Sequence, residues 1–170
     1  FNPDFGWETN KKSEVSLELG FWNDRLSLRG SYYRNRSSNQ LVGIPLPGTT
    51  GFGSITANLG ATVENTGWEL GLNTVNIQKG DFLWTTALNL TIPRNRLVAF
   101  PDLEESTYAN QLVVGSPLNI TKVYGLNGVD SDTGLFTFED FNGDGMISAL
   151  EDRQVVKPLD PKFYGGLDNH

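Results

Sequence analysis

The chain has 170 residues, no cysteine and a formal charge of −7. The lack of cysteine excludes a disulfide framework and thiolate metal sites. The single histidine, His170, gives no support for a Ser-His-Asp triad or a histidine metal centre. Residues 101–160 carry 11 of the 20 acids and only 3 of the 13 bases. Because phosphates would be repelled there, the charge pattern argues against nucleic acid as a partner and for a cation site or a solvated loop.

The composition indicates an all-β fold. Nineteen glycines, many Asn, Thr and Ser residues and 11% aromatic side chains are typical of strands joined by turns. No window reaches the roughly 18 consecutive apolar residues of a membrane helix, which leaves membrane-spanning strands untested. The only methionine is Met146, and residues 1–4 do not resemble a signal peptide. We therefore expect a chain that starts inside a longer protein or after processing.

The first predicted element is a β-hairpin over residues 13–34, with its turn at Asn23-Asp24. Apolar and polar side chains alternate in both halves, which is typical of strands with one apolar face. The apolar positions are Val15, Leu17, Leu19, Phe21, Leu26, Leu28, Gly30 and Tyr32. The charged positions Glu14, Glu18, Arg25 and Arg29 belong to the other face.

The same unit recurs as a second hairpin over residues about 55–91, with its turn at residues 78–81 and with Glu69 and Asn73 on the polar face. The intervening residues 35–54 are rich in Ser, Asn, Gly and Pro and predict a loop. Residues about 92–160 predict a much longer loop with a few short strands. Tight turns at one end and long loops at the other are typical of bacterial outer-membrane barrels.

Trp7 and Trp68 each stand between Gly and Glu at the start of a strand. Tryptophan at such a point suits the interfacial aromatic belt of a membrane protein. The alternative is a secreted soluble β-sandwich that binds carbohydrate and is stabilised by bound calcium. In that case these rings lie in its core. The apolar stripes distinguish the two, since they face lipid in a barrel and lie inside the molecule in a sandwich.

Residues 140–151 fit the calcium-loop pattern D-x-N-x-D-G with an acid at the twelfth position. Oxygen donors of this kind suit Ca²⁺ better than Zn²⁺. The predicted ligands are Asp140, Asn142, Asp144, the carbonyl of Met146, Ser148 and Glu151. No helix is predicted on either side, so the loop is expected to be a structural clip rather than a sensor. A Gly-Asp-Asn turn that binds nothing is the alternative.

Several phrases resemble the C-terminal barrel half of SusC-like (RagA-like) TonB-dependent transporters. The similarity covers nearly the whole chain in the expected order. The matching phrases are NPDFGWE at 2–8, FWNDRL at 21–26, YY at 32–33 with Leu41 and PLP at 45–47, NTGWE at 65–69, FEDFNGDG at 138–145 and PKFYGG at 161–166. Phe141 departs from the family pattern, where a polar residue is usual, and Ile92-Pro93-Arg94 replaces an Asn-rich strand end.

This resemblance implies that residues 1–170 belong to one β-barrel domain: antiparallel strands of a partial transmembrane barrel with long extracellular loops. It implies a bacterial outer-membrane protein of Bacteroidetes type that is not an enzyme and imports oligosaccharides or peptides. A SusD-like surface lipoprotein and the TonB complex, the latter acting through parts absent from this chain, are the implied partners. The apolar faces would then meet outer-membrane lipid. Four or five long strands cannot close a cylinder, so the chain is expected to be a fragment.

Overall fold

The computed structural model describes residues 5–45, 49, 51 and 53–170. These ranges contain nine strands and the 3-10 turn Leu103–Glu105. None of their helical turns is long and apolar enough to cross a membrane. The strands are β1 Thr9–Phe21, β2 Leu26–Pro45, β3 Ser54–Lys79, β4 Phe82–Ala99, β5 Ile120–Val123, β6 Leu126–Val129, β7 Phe136–Phe138, β8 Val155–Pro158 and β9 Tyr164–Asn169.

The long strands form one antiparallel sheet in the order β1-β2-β3-β4-β9. Neighbours in sequence pair with each other, except that β9 joins β4 after the long connection. Within the described residues β1 and β9 are the open edges, so the sheet does not close on itself. The connection contains two small antiparallel ribbons, β5 with β8 and β6 with β7. The predicted all-β, antiparallel fold is confirmed.

The strands are longer than the sequence predicted. Residues 35–45 and 92–99, assigned to loops from their composition, continue β2 and β4. The main-chain ladder of β2 with β3 runs on through Ser, Asn and Arg residues and passes a bulge at Asn39, whose φ is 58°. Polar composition indicated exposure to water rather than the end of pairing, because ladder hydrogen bonds are made by the backbone. Of the loop predicted over residues 35–54, residues 46–48, 50 and 52 lie outside the described residues.

Two tight turns close the hairpins at one end of the sheet, called here the turn end. Asn23 and Asp24 have φ values of 56° and 62°, and Gly80 has a φ of 56°. Asn, Asp and Gly are the residues that adopt the left-handed region most readily. The sequence predicted both turns for this reason, and the structure confirms them.

The opposite end, called here the loop end, holds a small buried core. Ala61, Val63 and Leu97 are buried, and four residues of the strands and the long connection pack on them: Leu59, Phe100, Leu103 and Leu112. The connection is also held by backbone bonds, since Leu97 N–H donates to the Ser116 carbonyl and Gly115 N–H to that of Leu97, both at 2.8 Å. The first part of the long connection is thus anchored on the sheet.

Gly165 allows β9 to approach β4. A Cβ added at Gly165 would overlap the backbone carbonyl oxygen of Asn89, whereas one added at Gly166 would meet only the Asn89 side chain at 3.5 Å. We expect Gly165→Ala to displace β9 and destabilise the folded protein, because a backbone atom cannot rotate away. Gly166→Ala is the matched control. The unfolding temperature of the full-length protein should fall in the first variant and change little in the second; equal values would contradict the prediction.

Candidate functional site

The pairing register sorts the side chains of the large sheet into two faces. Successive residues of a strand point to opposite sides, and directly paired residues point to the same side. Leu17, for example, pairs with Gly30, which pairs with Leu70, which pairs with Leu90. The rows on either side combine apolar residues in the same way, in the order β1, β2, β3, β4: Val15, Tyr32, Trp68, Ile92; Leu19, Leu28, Leu72, Leu88; Phe21, Leu26, Thr74, Thr86. These rows define the apolar face.

The apolar face spans the hydrophobic part of a bilayer. On β4 it runs from Phe82 to Ile92, and a bulge between Val75 and Ile77 keeps Ile77 beside Trp84 on this face. Ten steps of about 3.3 Å, tilted by about 45°, give a height of roughly 23 Å. Outer-membrane barrels carry an apolar band about 25 Å tall, so the two heights agree.

Aromatic rings mark both borders of this face. At the loop end, the rings of Tyr32 and Trp68 are 5.0 Å apart and tilted by 51°. At the turn end, Phe82 and Trp84 lie beside the second tight turn and are exposed. Tyr and Trp favour the two interfaces of a bilayer because one part of the ring is apolar and another can bind water.

The apolar face is not covered by any other part of the described chain. Val15 is 75% exposed and Leu17 62% exposed, and Leu70 and Leu88 are exposed as well. A soluble sandwich requires a second sheet packed on this face, and a single sheet with such a patch is not stable in water. The alternative of a secreted β-sandwich is therefore contradicted by the structure.

The other face of the sheet is polar. Glu18 pairs with Arg29, while Glu69 and Asn73 lie opposite Ser31 and Ser27. Glu14 lies on the same face, opposite Tyr33. Arg25 immediately precedes β2 and donates through its guanidinium to the Val75 carbonyl at 3.3 Å. These are the residues that the sequence assigned to the polar face, and the structure places the five strand residues among them on one face.

The predicted calcium loop folds as a series of turns closed by its own side chains. The two carboxylate oxygens of Asp140 accept hydrogen bonds from the N–H groups of Gly143 and Gly145, both at 2.7 Å. The Asn142 carbonyl oxygen accepts from Asp144 N–H at 3.2 Å, and an Asp144 carboxylate oxygen accepts from Met146 N–H at 2.7 Å. These bonds tie the side chains of Asp140, Asn142 and Asp144 to backbone N–H groups of the same turn, and Met146 takes part through its N–H rather than its carbonyl.

The end of the loop is arranged differently from the prediction. The Glu151 carboxylate accepts a hydrogen bond from the Ser148 hydroxyl at 3.2 Å. Within the described part of the chain, no three carboxylate or imidazole side chains lie close enough to share one metal ion. Asp140, Asp144 and Glu151 are therefore not gathered around a single point in this structure.

Asp152, one residue beyond the predicted ligands, closes the loop. It is fully buried, and its two carboxylate oxygens accept from the N–H groups of Phe141 at 2.8 Å and Ser148 at 2.7 Å. Hydrogen bonds from the Ser148 and Phe141 N–H groups lower the pKa of Asp152 below its usual value, although burial acts in the opposite direction. Sequence reasoning missed this residue because the twelve-residue pattern ends at Glu151; its only signal was a second acid adjacent to the first.

The second part of the long connection is a small aromatic unit around this loop. The rings of Tyr124 and Phe138 are 5.4 Å apart, and the Arg153 guanidinium lies 5.8 Å from the Tyr124 centroid. Asp130 caps the turn between β6 and β7 by accepting from Thr133 N–H at 2.7 Å and from the Thr133 hydroxyl at 2.8 Å. These contacts lower the pKa of Asp130.

A sheet with a tall apolar face, aromatic borders, a polar reverse face and alternating short and long connections defines a segment of a membrane-spanning β-barrel. Residues 1–147 match the family model described as "TonB dependent receptor-like, beta-barrel". The chain belongs to this family. Its members are outer-membrane proteins and not enzymes, so the apolar face meets the lipid of the bacterial outer membrane.

Similar proteins agree with this assignment. The alignment with TonB-dependent receptor P3 of Formosa agariphila is 194 residues long and has 29% identity. It covers 99% of this chain and 19% of that protein. TonB-dependent receptor SusC of Bacteroides thetaiotaomicron is 28% identical over 109 residues, 64% of this chain and 11% of that protein. The structure of the RagAB peptide transporter shares the fold, with a TM-score of 0.75, 24% identity, and coverage of 98% of this chain and 20% of that chain. The chain spans about a fifth or less of the length of these proteins.

Proposed function

We propose that this chain is part of a TonB-dependent transporter that imports oligosaccharides or peptides across the outer membrane. The observation that carries the proposal is the sheet with one lipid-compatible face and one hydrophilic face, since such a wall encloses a water-filled passage. The structural neighbour described as the RagAB peptide transporter supports peptides as one substrate class. Oligosaccharides are the class that the resemblance of the sequence to SusC-like transporters implies.

Uptake by living cells tests this proposal. A strain that lacks the full-length gene is supplied in turn with labelled oligosaccharides and labelled oligopeptides, and uptake is compared with that of the complemented strain and of a strain without TonB. We expect one of the two substrate classes to accumulate only when both the transporter and TonB are present. Equal uptake of both classes in all three strains would contradict the proposal.

A SusD-like surface lipoprotein is the proposed partner. The long connection between β4 and β9 extends from the loop end and supplies ordered ribbons and exposed aromatic rings on which a partner can rest; Phe136 and Leu135 are two of the exposed residues. Purification of the tagged full-length transporter in mild detergent should recover a lipoprotein in equal amount. Loss of that protein after replacement of residues 126–138 by a short Gly-Ser linker would place the contact on the β6–β7 ribbon.

The loop at residues 140–151 is proposed to bind Ca²⁺. The support is its set of oxygen donors and the hydrogen-bonded turns that contain Asp140, Asn142 and Asp144. Glu151 must leave the Ser148 hydroxyl to complete the shell. We expect Ca²⁺ to raise the unfolding temperature of the full-length protein, and Asp140→Ala with Asp144→Ala to abolish this rise.

The control variant for calcium is Glu104→Ala with Glu105→Ala, which removes the same charge from the same connection outside the loop. It should keep the full response to Ca²⁺. If the two double variants behave alike, general screening of acidic charge explains the effect and the loop binds no ion.

A further inference from the structure

The apolar face is followed at the loop end by two rows of basic side chains on the same side of the sheet. Beyond Tyr32 and Trp68, the next row of paired residues is Ser13, Arg34, Thr66 and Arg94, and the row after it is Lys11, Arg36, Glu64 and Arg96. Five of these eight residues are bases and one is an acid. The name basic rows is used here for Lys11, Arg34, Arg36, Arg94 and Arg96.

This charge is confined to one face. At the same height on the polar face, the paired residues are Lys12, Asn35, Asn65 and Asn95, with one base among them. The Asn95 side-chain amide donates to the Asn65 carbonyl oxygen at 2.7 Å, so these amides bind each other. At this height the bilayer side therefore carries five bases and the polar side one, an asymmetry that exposure to water alone does not explain.

Most of the basic charge is not neutralised within the described part of the chain. Arg34 pairs with Glu64 at 2.6 Å. Arg94 donates to the uncharged carbonyl oxygens of Pro93 and Lys162, and its own charge therefore remains. Lys11, Arg36 and Arg96 form no ion pair with a described residue. The two rows therefore carry a net charge of about +4, five bases less one acid.

Part of this surface is a shallow depression between β1 and β2. Its volume is about 440 Å³, and its lining includes no acid. Three of the basic rows' residues and three hydroxyl residues line it, together with Lys12 of the opposite face: Lys11, Arg34, Arg36, Ser13, Ser38 and Thr62. Guanidinium and ammonium groups with neighbouring hydroxyls form the donor set that binds phosphate oxygens.

The height of the basic rows matches the headgroup layer. Successive rows are two residues apart, so they lie about 7 and 13 Å beyond the Tyr32 and Trp68 row along the strands. A tilt of about 45° reduces these distances to roughly 5 and 9 Å along the bilayer normal. The polar headgroup region adds about 5 to 8 Å on each side of the hydrocarbon core, so the first row lies within this layer and the second at its outer surface, within reach of long Lys and Arg side chains.

We propose that the basic rows bind the phosphate groups of membrane lipids in the outer leaflet, with Lys11 and Arg36 as the central contacts. The long connections of outer-membrane barrels are extracellular, which places the loop end in that leaflet. The inference depends on the position of the barrel in the membrane and not on the substrate that it imports. Its test therefore succeeds or fails independently of the uptake experiment.

The test measures lipid binding by the purified full-length transporter in detergent. The probes are bisphosphorylated lipid A, the same lipid after enzymatic removal of its phosphates, and inorganic phosphate. Lys11→Gln with Arg36→Gln should weaken binding of the phosphorylated lipid by roughly 10- to 30-fold. Lys122→Gln with Lys157→Gln, which removes two bases of the long connection, should bind as the unmodified protein does. Arg36→Lys should retain most of the affinity.

Several outcomes would overturn the proposal. The proposal fails if the unmodified protein binds both forms of lipid A with equal affinity, or if inorganic phosphate competes at low concentration. It also fails if the two double variants lose the same amount of affinity for the lipid, or if an acidic protein displaces the lipid from the basic rows. The heat-induced shift in gel mobility that is typical of folded barrels shows whether each variant is assembled. If the double variant does not assemble, Lys11→Gln alone, on the exposed end of β1, provides the same comparison with a smaller loss.

Discussion

Replacing Leu17 by arginine should sharply reduce the amount of full-length protein that assembles in the outer membrane. Leu17 lies in the row with Gly30, Leu70 and Leu90, within the apolar face and one row inside the border formed by Tyr32 and Trp68. An arginine destabilises a barrel by about 2–4 kcal/mol at the bilayer midplane and by about 0–1 kcal/mol near the interface, so we expect a cost between these limits at Leu17. The fraction of protein that is heat-modifiable in isolated outer membranes measures the effect, and Leu70→Arg should behave in the same way.

The matched control is Ser16→Arg, one residue away on the same strand. Ser16 pairs with Ser31, in the row of Glu69 on the polar face, where an added guanidinium meets water and a carboxylate. This variant should assemble normally. Equal assembly of Leu17→Arg and Ser16→Arg would show that the two faces do not differ in their contact with lipid, and the barrel assignment of this sheet would fail.

Replacing Asp152 should open the acidic loop. Asp152→Asn removes one of the two acceptors that hold Phe141 and Ser148, since an amide has a single acceptor oxygen, and it leaves a buried N–H group without a partner. We expect the amides of residues 140–150 to exchange hydrogen at least about tenfold faster. Glu151→Gln is the control, because Glu151 contacts only the Ser148 hydroxyl and backbone neighbours of the loop end.

The loop should also depend on pH through Asp152. Its pKa is lower in the folded protein than the usual value near 4, so the charged form stabilises the loop above that value. The stabilisation is lost as the pH falls through the lowered folded-state pKa, where the carboxylate takes up a proton and its acceptors weaken. Protection factors of the loop amides should therefore fall in acid in the unmodified protein and stay flat, at a low level, in Asp152→Asn. A parallel fall in both would contradict this account.

The apolar face could be predicted from the sequence because it depends on a period of two, which is visible in a single strand. Leu17 and Leu28 belong to separate stripes in the sequence, and the structure places them in adjacent rows of one face, as the hairpin turn at Asn23-Asp24 requires. Family membership was predicted from the matching phrases and is confirmed by the family model. Both results follow from local patterns.

Three features could not be predicted because they depend on which residues pair. The basic rows bring Lys11, Arg36 and Arg96 together from positions up to 85 residues apart, and only the register places them on one side. The extension of β2 beyond residue 34 depends on partners in β3 and not on composition. The burial of Asp152 depends on how the loop folds back on Phe141, which a twelve-residue pattern does not contain.

The length of β3 has a consequence for how the protein meets its surroundings. Fourteen residues, 54–67, precede the Trp68 row and remain paired almost throughout with β2. At about 3.3 Å per residue and a tilt of about 45°, this part rises roughly 30 Å above the membrane surface. The strands are therefore joined by backbone hydrogen bonds well beyond the lipid, and the outer rim of this part of the barrel is a continuation of the sheet.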